Sequence, residues 1–219
     1  MKRSTFTILI PWTSFINDHN YAGVDILRQA GVELVPFSPL HKSAFPENIG
    51  GIYLGGDFPE EHAERLSANI SMREALAQLL WRGMPCYAEC GGLMYLCQSI
   101  RTASGQAFPM VGVIARESRM KHDPGGLVIG YREATALRDT LLTRRGETVR
   151  GQEFHASCLN MAVSQEEAAY VFQPSQQREG FSQGNLLATY LHLSFSGSPQ
   201  AAQRFVTAAQ AWLSGAGGA

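Results

Sequence analysis

The segment Met84-Pro85-Cys86-Tyr87-Ala88-Glu89-Cys90-Gly91-Gly92-Leu93-Met94-Tyr95-Leu96 predicts a strand, a sharp turn and a helix, with Cys90 at the corner. Strand-forming residues run up to Glu89, two glycines follow Cys90, and we expect an apolar helix from residue 93 to residue 100. Such a corner exposes the side chain above the sheet edge, where the positive end of the helix dipole favours a thiolate. The segment therefore predicts an α/β fold with Cys90 as a nucleophile. The alternative is that Cys90 is a small buried residue at a strand end, which is the usual place of a lone cysteine.

Strands and helices alternate along the rest of the chain. Short apolar runs predict strands at residues 6–10, 32–37, 51–54 and 185–191, and amphipathic runs predict helices from residue 59, over residues 72–81 and from residue 199. This order is typical of an α/β fold with a mostly parallel central sheet flanked by helices. From residue 107 to residue 172, short alternating runs predict an antiparallel extension of that sheet. Because no repeat or linker is visible, we expect residues 1–219 to form a single domain.

Charge and composition favour a site for a small molecule. The chain carries 18 Lys and Arg residues against 19 Asp and Glu residues, a formal net charge of −1. Because no basic stripe or polybasic patch is visible, we expect neither a nucleic acid nor a membrane as partner. No apolar run reaches the length of a membrane span or of a signal segment, so we expect a cytoplasmic protein. The four cysteines lack the spacing of zinc ligands, which predicts reduced thiols and no metal site.

A second feature of chemical interest is the run Tyr190-Leu191-His192-Leu193-Ser194-Phe195. A histidine in an apolar strand end is often a core residue with satisfied hydrogen bonds. In a parallel sheet, however, Cys90 and His192 would each follow a strand and would meet at the carboxyl edge, where open α/β proteins bind ligands. The pair then predicts a nucleophile and a general base.

The third feature is the pair Gly55-Gly56, which follows the apolar run ending at Leu54. These glycines are typical of a simple turn. Alternatively, they turn a backbone N–H toward the site, where it would form an oxyanion hole together with the N–H of Gly91.

Five motifs together resemble a known family. They are GGIYLGGDFPEEHAERLSANISMREAL (residues 50–76), GMPCYAECGGLMYL (83–96), GYREA (130–134), RGQEFHAS (150–157) and NLLATYLHLSF (185–195). In this order they resemble the glutamine amidotransferase domain of cobyrinic or hydrogenobyrinic acid a,c-diamide synthases, which belongs to the class I, triad-type glutaminases. The resemblance extends from about residue 6 to residue 195, and the ordered set is more specific than any single motif.

The resemblance implies a class I glutamine amidotransferase fold, which is flavodoxin-like, and a role for individual residues. Cys90 matches the family's nucleophile, and His192 matches its activating histidine. Gly56 and Gly91 match its oxyanion donors, with Gly55 in the same substrate-binding turn. The implied reaction is hydrolysis of glutamine through a cysteine thioester, with release of ammonia.

The resemblance also implies a partner, because members of the family carry an ATP-binding half before this domain and are about twice as long, whereas this sequence has no GxxxxGK[ST] phosphate loop. We therefore expect no cofactor in this chain. ATP and Mg²⁺ are expected in a partner synthetase domain or subunit, which would also bind the corrin acid acceptor of cobalamin biosynthesis.

The sequence departs from the family pattern at two positions near the predicted site. Many class I glutaminases place a glutamate two residues after the histidine, whereas this chain has Ser194 there. Another group must then orient His192, and Glu153 is a candidate. Gln152 stands where the family more usually has a histidine, so no role is carried over to that position.

Three alternatives to this function remain at the level of sequence. One is a cysteine hydrolase or chaperone of similar fold. Another is a catalytically silent binding or regulatory domain, which the missing acid at Ser194 favours. The third is a stand-alone glutaminase subunit that pairs with a ligase to amidate another acid, such as a cell-wall precursor.

Overall fold

The computed structural model describes residues 6–11, 21–42, 44–56, 58–121 and 126–215, with only the backbone described for residues 6–11 and 21–24. The ends of the predicted domain, residues 1–219, thus lie outside the described residues. The strands, in chain order, are β1 (Phe6–Pro11), β2 (Val32–Phe37), β3 (Ile49–Leu54), β4 (Cys86–Glu89), β5 (Cys97–Arg101), β6 (Ala107–Pro109), β7 (Ile114–Met120), β8 (Val128–Ala136), β9 (Thr148–His155), β10 (Ser157–Leu159), β11 (Ala168–Gln173), β12 (Arg178–Gln183), β13 (Leu186–Thr189) and β14 (Leu191–Leu193).

Ten of these strands form the main sheet, in the order β14-β9-β8-β11-β12-β13-β4-β3-β1-β2. The half formed by β2, β1, β3, β4 and β13 is parallel. The other half consists of antiparallel strands, which follow β13 in the order β12, β11, β8, β9 and β14. The predicted α/β fold with a parallel centre and an antiparallel extension is therefore confirmed.

Helices cover both faces of the parallel half. They are α1 (Tyr21–Gln29), α2 (Ala63–Ala68), α3 (Ile70–Trp81), α4 (Gly91–Leu96) and α5 (Pro199–Leu213), and a single 3-10 turn, Pro59–His62, precedes α2. One buried cluster joins Leu27 of α1 and Phe205 of α5 to Tyr87 of the sheet. The opposite cluster contains the apolar residues of α2, α3 and α4. In the part of the chain that the structure describes, no helix is both long and apolar enough to cross a membrane.

The helix predicted from residue 93 to residue 100 is wrong in its second half. Helix α4 ends at Leu96, Cys97 has an extended backbone (φ −64°, ψ 169°), and β5 follows at once. β5 belongs to a second sheet, of order β10-β7-β5-β6, which the sequence analysis did not predict. Pairing with β6 and β7 satisfies the backbone of β5, and this non-local pairing outweighs the local helical pattern. Residues 107–172 are accordingly divided between the two sheets.

The strand predicted at residues 185–191 is also interrupted. β13 runs parallel to β4 and ends at Thr189, whereas β14 begins at Leu191 and pairs antiparallel with β9. His192 therefore lies in an edge strand of the main sheet and not at the end of a parallel strand.

A buried carboxylate holds the chain between β13 and β14. Glu179 accepts hydrogen bonds from the Thr189 hydroxyl and from the Tyr190 N–H, both at 2.6 Å. Burial raises the pKa of Glu179 from its ordinary value of 4.5 to about 7, although the two hydrogen bonds act in the opposite direction.

The turn between β4 and α4 requires glycine because two backbone segments approach it closely. A methyl group on Gly92 would overlap the carbonyl oxygen of Leu54, at the end of β3, and one on Gly91 would overlap that of Gly56. The first turn of α4 thus packs directly against the loop after β3, and this contact fixes the position of Cys90.

We expect Gly92→Ala to lower the free energy of unfolding by about 1–3 kcal/mol, because backbone atoms must shift to admit the methyl group. Urea denaturation of both proteins measures this difference. Gly197→Ala is the matched control, since a methyl group there would meet only ordinary contacts at 3.5 Å or more. Equal stability of the two variants would contradict the close packing of α4 against β3.

Glu179 also predicts a dependence of stability on pH. The folded protein keeps the Glu179 proton up to about pH 7, whereas the unfolded chain releases it near pH 4.5, so stability falls as the pH rises through this window. Glu179→Gln should reduce this pH-dependent loss of unfolding free energy by about 3 kcal/mol. Denaturation at pH 5 and at pH 8 measures it, and the exposed Glu64→Gln variant should keep the wild-type dependence.

Candidate active site

Cys90 lies at the corner between β4 and α4, as predicted. Its backbone has φ 47° and ψ −103°, a conformation that residues other than glycine rarely adopt. The Met94 N–H donates to its carbonyl oxygen at 3.0 Å, and its own N–H donates to the Thr189 carbonyl at 2.8 Å. These bonds hold the strained corner in place, as is typical of nucleophile turns in α/β hydrolases.

The Cys90 thiol contacts the main chain of β9. Its Sγ donates a hydrogen bond to the Phe154 carbonyl at a distance of 3.6 Å, and only 6% of the residue is exposed. Because a thiolate has no proton to donate, this contact belongs to the protonated, resting form of Cys90.

The other cysteines lie in different environments. Burial raises the pKa of Cys86 far above its usual range and that of Cys97 to about 12. Thiols with such pKa values stay protonated and are poor nucleophiles. Cys158 lies half-buried in β10, and none of the four cysteines forms a disulfide bond.

His192 lies close to the carboxylate of the residue that precedes Cys90. Its Nδ1 atom is 3.8 Å from Oε2 of Glu89, while its Nε2 atom is buried and has no hydrogen-bond partner among the described residues. The structure thus brings His192 to the end of β4, where Cys90 begins the turn.

Glu89 is a candidate site residue that the sequence analysis missed. Only 1% of it is exposed, and its Oε2 accepts a hydrogen bond from the Tyr53 hydroxyl at 2.6 Å. Its Oε1 accepts from the Tyr87 hydroxyl and, at 3.0 Å, from the Leu193 N–H. Three donors therefore fix the carboxylate beside His192. Its position directly before Cys90 at the strand end was the one available signal.

The two tyrosines that donate to Glu89 have stacked rings. Tyr53 and Tyr87 are nearly parallel, with ring centroids 5.3 Å apart, and Phe195 packs edge-on against both. Burial, and next the neighbouring Glu89 charge, raise the pKa of Tyr87 well above its usual range, so this hydroxyl keeps its proton and remains a donor.

Glu153, the predicted orienting residue, makes other contacts. Its carboxylate accepts from Arg132 Nε at 2.6 Å and lies 3.4 Å from His155 Nε2. Burial acts to raise the pKa of Glu153, but the hydrogen bonds with His155 and Arg132 outweigh it and hold the pKa below its ordinary value. A role for Glu153 toward His192 stays a prediction, whereas Glu89 is the carboxylate placed 3.8 Å from the imidazole. Gln152 lies opposite His192 in the register of β9 and β14.

The predicted oxyanion glycines lie together. Gly55, Gly56 and Gly91 line one cavity of about 40 Å³, behind the turn. In this conformation the Gly91 N–H donates to the Gly56 carbonyl at 3.1 Å. The Gly91 N–H can therefore reach an oxyanion only after this bond opens. Gly56 has φ 140°, a value open to glycine but strained for other residues.

No group of three or more His, Cys, Asp or Glu side chains that could hold a metal ion occurs within the described ranges. The chemistry of the arrangement is that of a thiol, an imidazole and a buried carboxylate, which together suit acyl transfer through a covalent intermediate.

Comparisons with known proteins identify the family of this chain. Residues 7–200 match the model of the CobB/CobQ-like glutamine amidotransferase domain. The cobyrinate a,c-diamide synthase of Synechococcus sp. is 42% identical over 214 residues, which cover 95% of this chain and 45% of that protein. The hydrogenobyrinate a,c-diamide synthase of Streptomyces coelicolor is 37% identical over 182 residues, which cover 83% of this chain and 36% of that protein. This chain thus spans less than half the length of these two relatives.

Solved structures show the same fold at low identity. A chain in the structure of PurLQS from Thermotoga maritima superposes with a TM-score of 0.67 at 13% identity, covering 95% of this chain and 99% of that one. A crystal structure of a glutamine amidotransferase gives a TM-score of 0.63 at 14% identity, covering 93% and 98%. With the family model matching most of its length, the chain belongs to the CobB/CobQ-like glutamine amidotransferase domain family.

Proposed function

We propose that this chain hydrolyses glutamine as the glutaminase half of a cobyrinate a,c-diamide synthase-type amidotransferase. The observation that carries the proposal is that Cys90, at a strained strand-to-helix corner, directly follows Glu89, whose buried carboxylate lies 3.8 Å from the His192 imidazole. Similarity to synthases that act on cobyrinate and hydrogenobyrinate favours a corrin acid as acceptor over a cell-wall precursor.

The proposed reaction proceeds in two acyl-transfer steps. His192 Nε2 takes the proton of the Cys90 thiol, and Sγ attacks the side-chain carboxamide carbon of glutamine. As the tetrahedral intermediate collapses, the C–N bond breaks and the imidazolium gives its proton to the departing ammonia. The imidazole then takes a proton from water, whose oxygen attacks the thioester. Glutamate leaves, and the proton returns to Sγ.

Glu89 acts in this proposal as a positioning residue. A carboxylate facing Nδ1 favours the tautomer that carries the proton on Nδ1 and leaves the Nε2 lone pair free to act as base. The distance of 3.8 Å is longer than a hydrogen bond, as is common in unliganded sites, and it closes when substrate orders the imidazole.

Stabilisation of the oxyanion requires a change at the glycine turn. The Gly91 N–H must leave the Gly56 carbonyl before it can donate to the substrate oxygen. One oxyanion donor of this kind increases kcat by a factor of about 10²–10³. The isolated chain should therefore hydrolyse glutamine slowly until substrate or a partner opens this bond.

Amidation itself belongs to the partner in this proposal. The partner synthetase half would bind ATP, Mg²⁺ and the acceptor carboxylate, and ammonia formed at Cys90 would reach the activated acceptor there. A catalytically silent domain is the second candidate, and the occupied Gly91 N–H is the observation that favours it.

The first test is a glutaminase assay on single-cysteine variants. Cys90→Ser should abolish glutamate formation while circular dichroism and thermal unfolding remain close to wild type. Cys86→Ser, Cys97→Ser and Cys158→Ser are the controls and should keep the activity. If a folded control variant is as inactive as Cys90→Ser, the nucleophile is a different cysteine. Absence of turnover in the wild type with its partner, ATP and acceptor would support the silent domain.

The second test separates the two candidate carboxylates. Glu89→Gln keeps the size of the side chain but removes the charge beside His192, so we expect kcat to fall by about 10²–10⁴, in line with the loss of an orienting carboxylate elsewhere. KM for glutamine should change less than about twofold, since Glu89 is only 1% exposed and does not line the cavity. Glu153→Gln is the matched control and should keep kcat within about tenfold. The reverse outcome would make Glu153 the residue that orients His192.

A further inference from the structure

One face of the β8 and β9 strands is apolar and exposed. Leu127, just before β8, is 50% exposed, Ile129 57%, Tyr131 87% and Phe154 of β9 41%. Ile129 lies directly opposite Phe154, so these side chains form one continuous surface. We call these four residues the β8–β9 apolar face.

The alternation along β8 shows that this surface is not part of the core. Arg132 points to the other side of the sheet, where it reaches over Gly130 to the Glu153 carboxylate. A half-solvated antiparallel sheet normally has polar residues on its outer side. Here large apolar residues occupy the outer side near Ile129 and Tyr131, and the polar Gln152, Glu133 and Arg150 continue that side beyond them. An exposed apolar patch of this kind usually marks an interaction site.

The β8–β9 apolar face borders the candidate active site. Tyr131 lies opposite Gln152, and Gln152 lies opposite His192 of β14, which places His192 on the same side of the sheet. Phe154 connects the two more directly. Its side chain belongs to the apolar face, while its carbonyl accepts the hydrogen bond from the Cys90 thiol.

We propose that the β8–β9 apolar face is the docking surface for the ATP-binding half of the synthetase. This inference rests on the proposed glutaminase function. The relative from Synechococcus sp. contains more than its matched part, which is 45% of its length, so a second large unit accompanies the domain there. Ammonia is protonated in bulk water and then no longer attacks a carbonyl. A partner seated beside His192 would receive it before that happens.

The same contact would couple docking to the nucleophile. Pressure on the Phe154 side chain moves the Phe154 carbonyl, because both belong to one residue of β9. Displacement of that carbonyl breaks its hydrogen bond with the Cys90 thiol and so favours proton transfer to His192. Docking at this face should therefore raise the rate of glutamine hydrolysis as well as capture the ammonia.

The test compares two variants that each reduce exposed apolar surface. Ile129→Ser/Tyr131→Ser alters the β8–β9 apolar face without touching Cys90, Glu89 or His192. Trp81→Ser is the matched control, since Trp81 is 72% exposed at the end of α3, at the opposite, amino edge of β4. Each protein is titrated with the ATP-binding half of the Synechococcus cobyrinate a,c-diamide synthase. Binding is followed by sedimentation, and glutaminase activity is measured with and without that half.

We expect the double variant to weaken binding at least about tenfold, as loss of exposed anchor residues does at protein interfaces, and to lose the stimulation by the partner. Its basal glutaminase rate should stay within about twofold of wild type. Trp81→Ser should bind and respond as wild type does.

Three results of the titration would overturn the proposal. They are undiminished binding by the double variant, equal weakening by Trp81→Ser, and no binding by the unaltered chain. Self-association of the unaltered chain that the double variant abolishes would assign the face to a second copy instead. Because sedimentation does not depend on turnover, binding lost in the double variant while no sample hydrolyses glutamine would support the docking surface and reject the proposed glutaminase.

Discussion

The rest of the site depends on the hydrogen bonds that hold the Glu89 carboxylate. A buried carboxylate is costly unless its oxygens are satisfied, and here the donors come from three strands: the Tyr53 hydroxyl from β3, the Tyr87 hydroxyl from β4 and the Leu193 N–H from β14. The bond to Leu193 is the one that positions His192. It ties the short edge strand β14 to the end of β4 and thereby brings His192 to the turn that carries Cys90. One carboxylate thus serves both as a structural acceptor and as the neighbour of the imidazole.

The parts of this arrangement that follow from local physics could be predicted from the sequence. The strand, turn and helix around Cys90 were identified because two glycines follow a short apolar strand, and the structure shows why glycine is needed at Gly92. The parallel half of the sheet followed from strands alternating with amphipathic helices. The remainder depends on pairing between distant residues. The local sequence pattern of β5 is helical, and only its pairing with β6 and β7 makes it a strand. The break between β13 and β14 at Tyr190 is likewise held by the distant Glu179. The Glu89–Leu193 bond spans 104 positions, so no local pattern predicts it, and the sequence analysis named Glu153 as the candidate instead.

Two groups that the chemistry needs are engaged elsewhere in the described conformation. The Cys90 thiol donates to Phe154, and the Gly91 N–H donates to Gly56. Each of these bonds is between neutral groups and is worth only about 1 kcal/mol net, so binding of a substrate or a partner is sufficient to exchange them. The backbone around them is prepared for such an exchange, because Cys90 is strained and Gly56 has the freedom of a glycine. In the proposed function, this state spares glutamine while the partner is absent.

The position of His192 in an edge strand also makes the site accessible to a partner. β14 has only three residues and forms the outer edge of the main sheet, which keeps the free backbone edge short and discourages unspecific strand addition. The same placement puts the imidazole beside surface that other proteins can reach, whereas a histidine at the end of a central parallel strand would be enclosed by its neighbours. Ile129 and Tyr131 on the outer side of β8 contribute little to the stability or the solubility of the fold, because both side chains are largely exposed there. A partner that covers them would bury apolar area and exclude water from His192 in one step. The exposed face and the edge histidine are therefore best understood as two parts of a single surface.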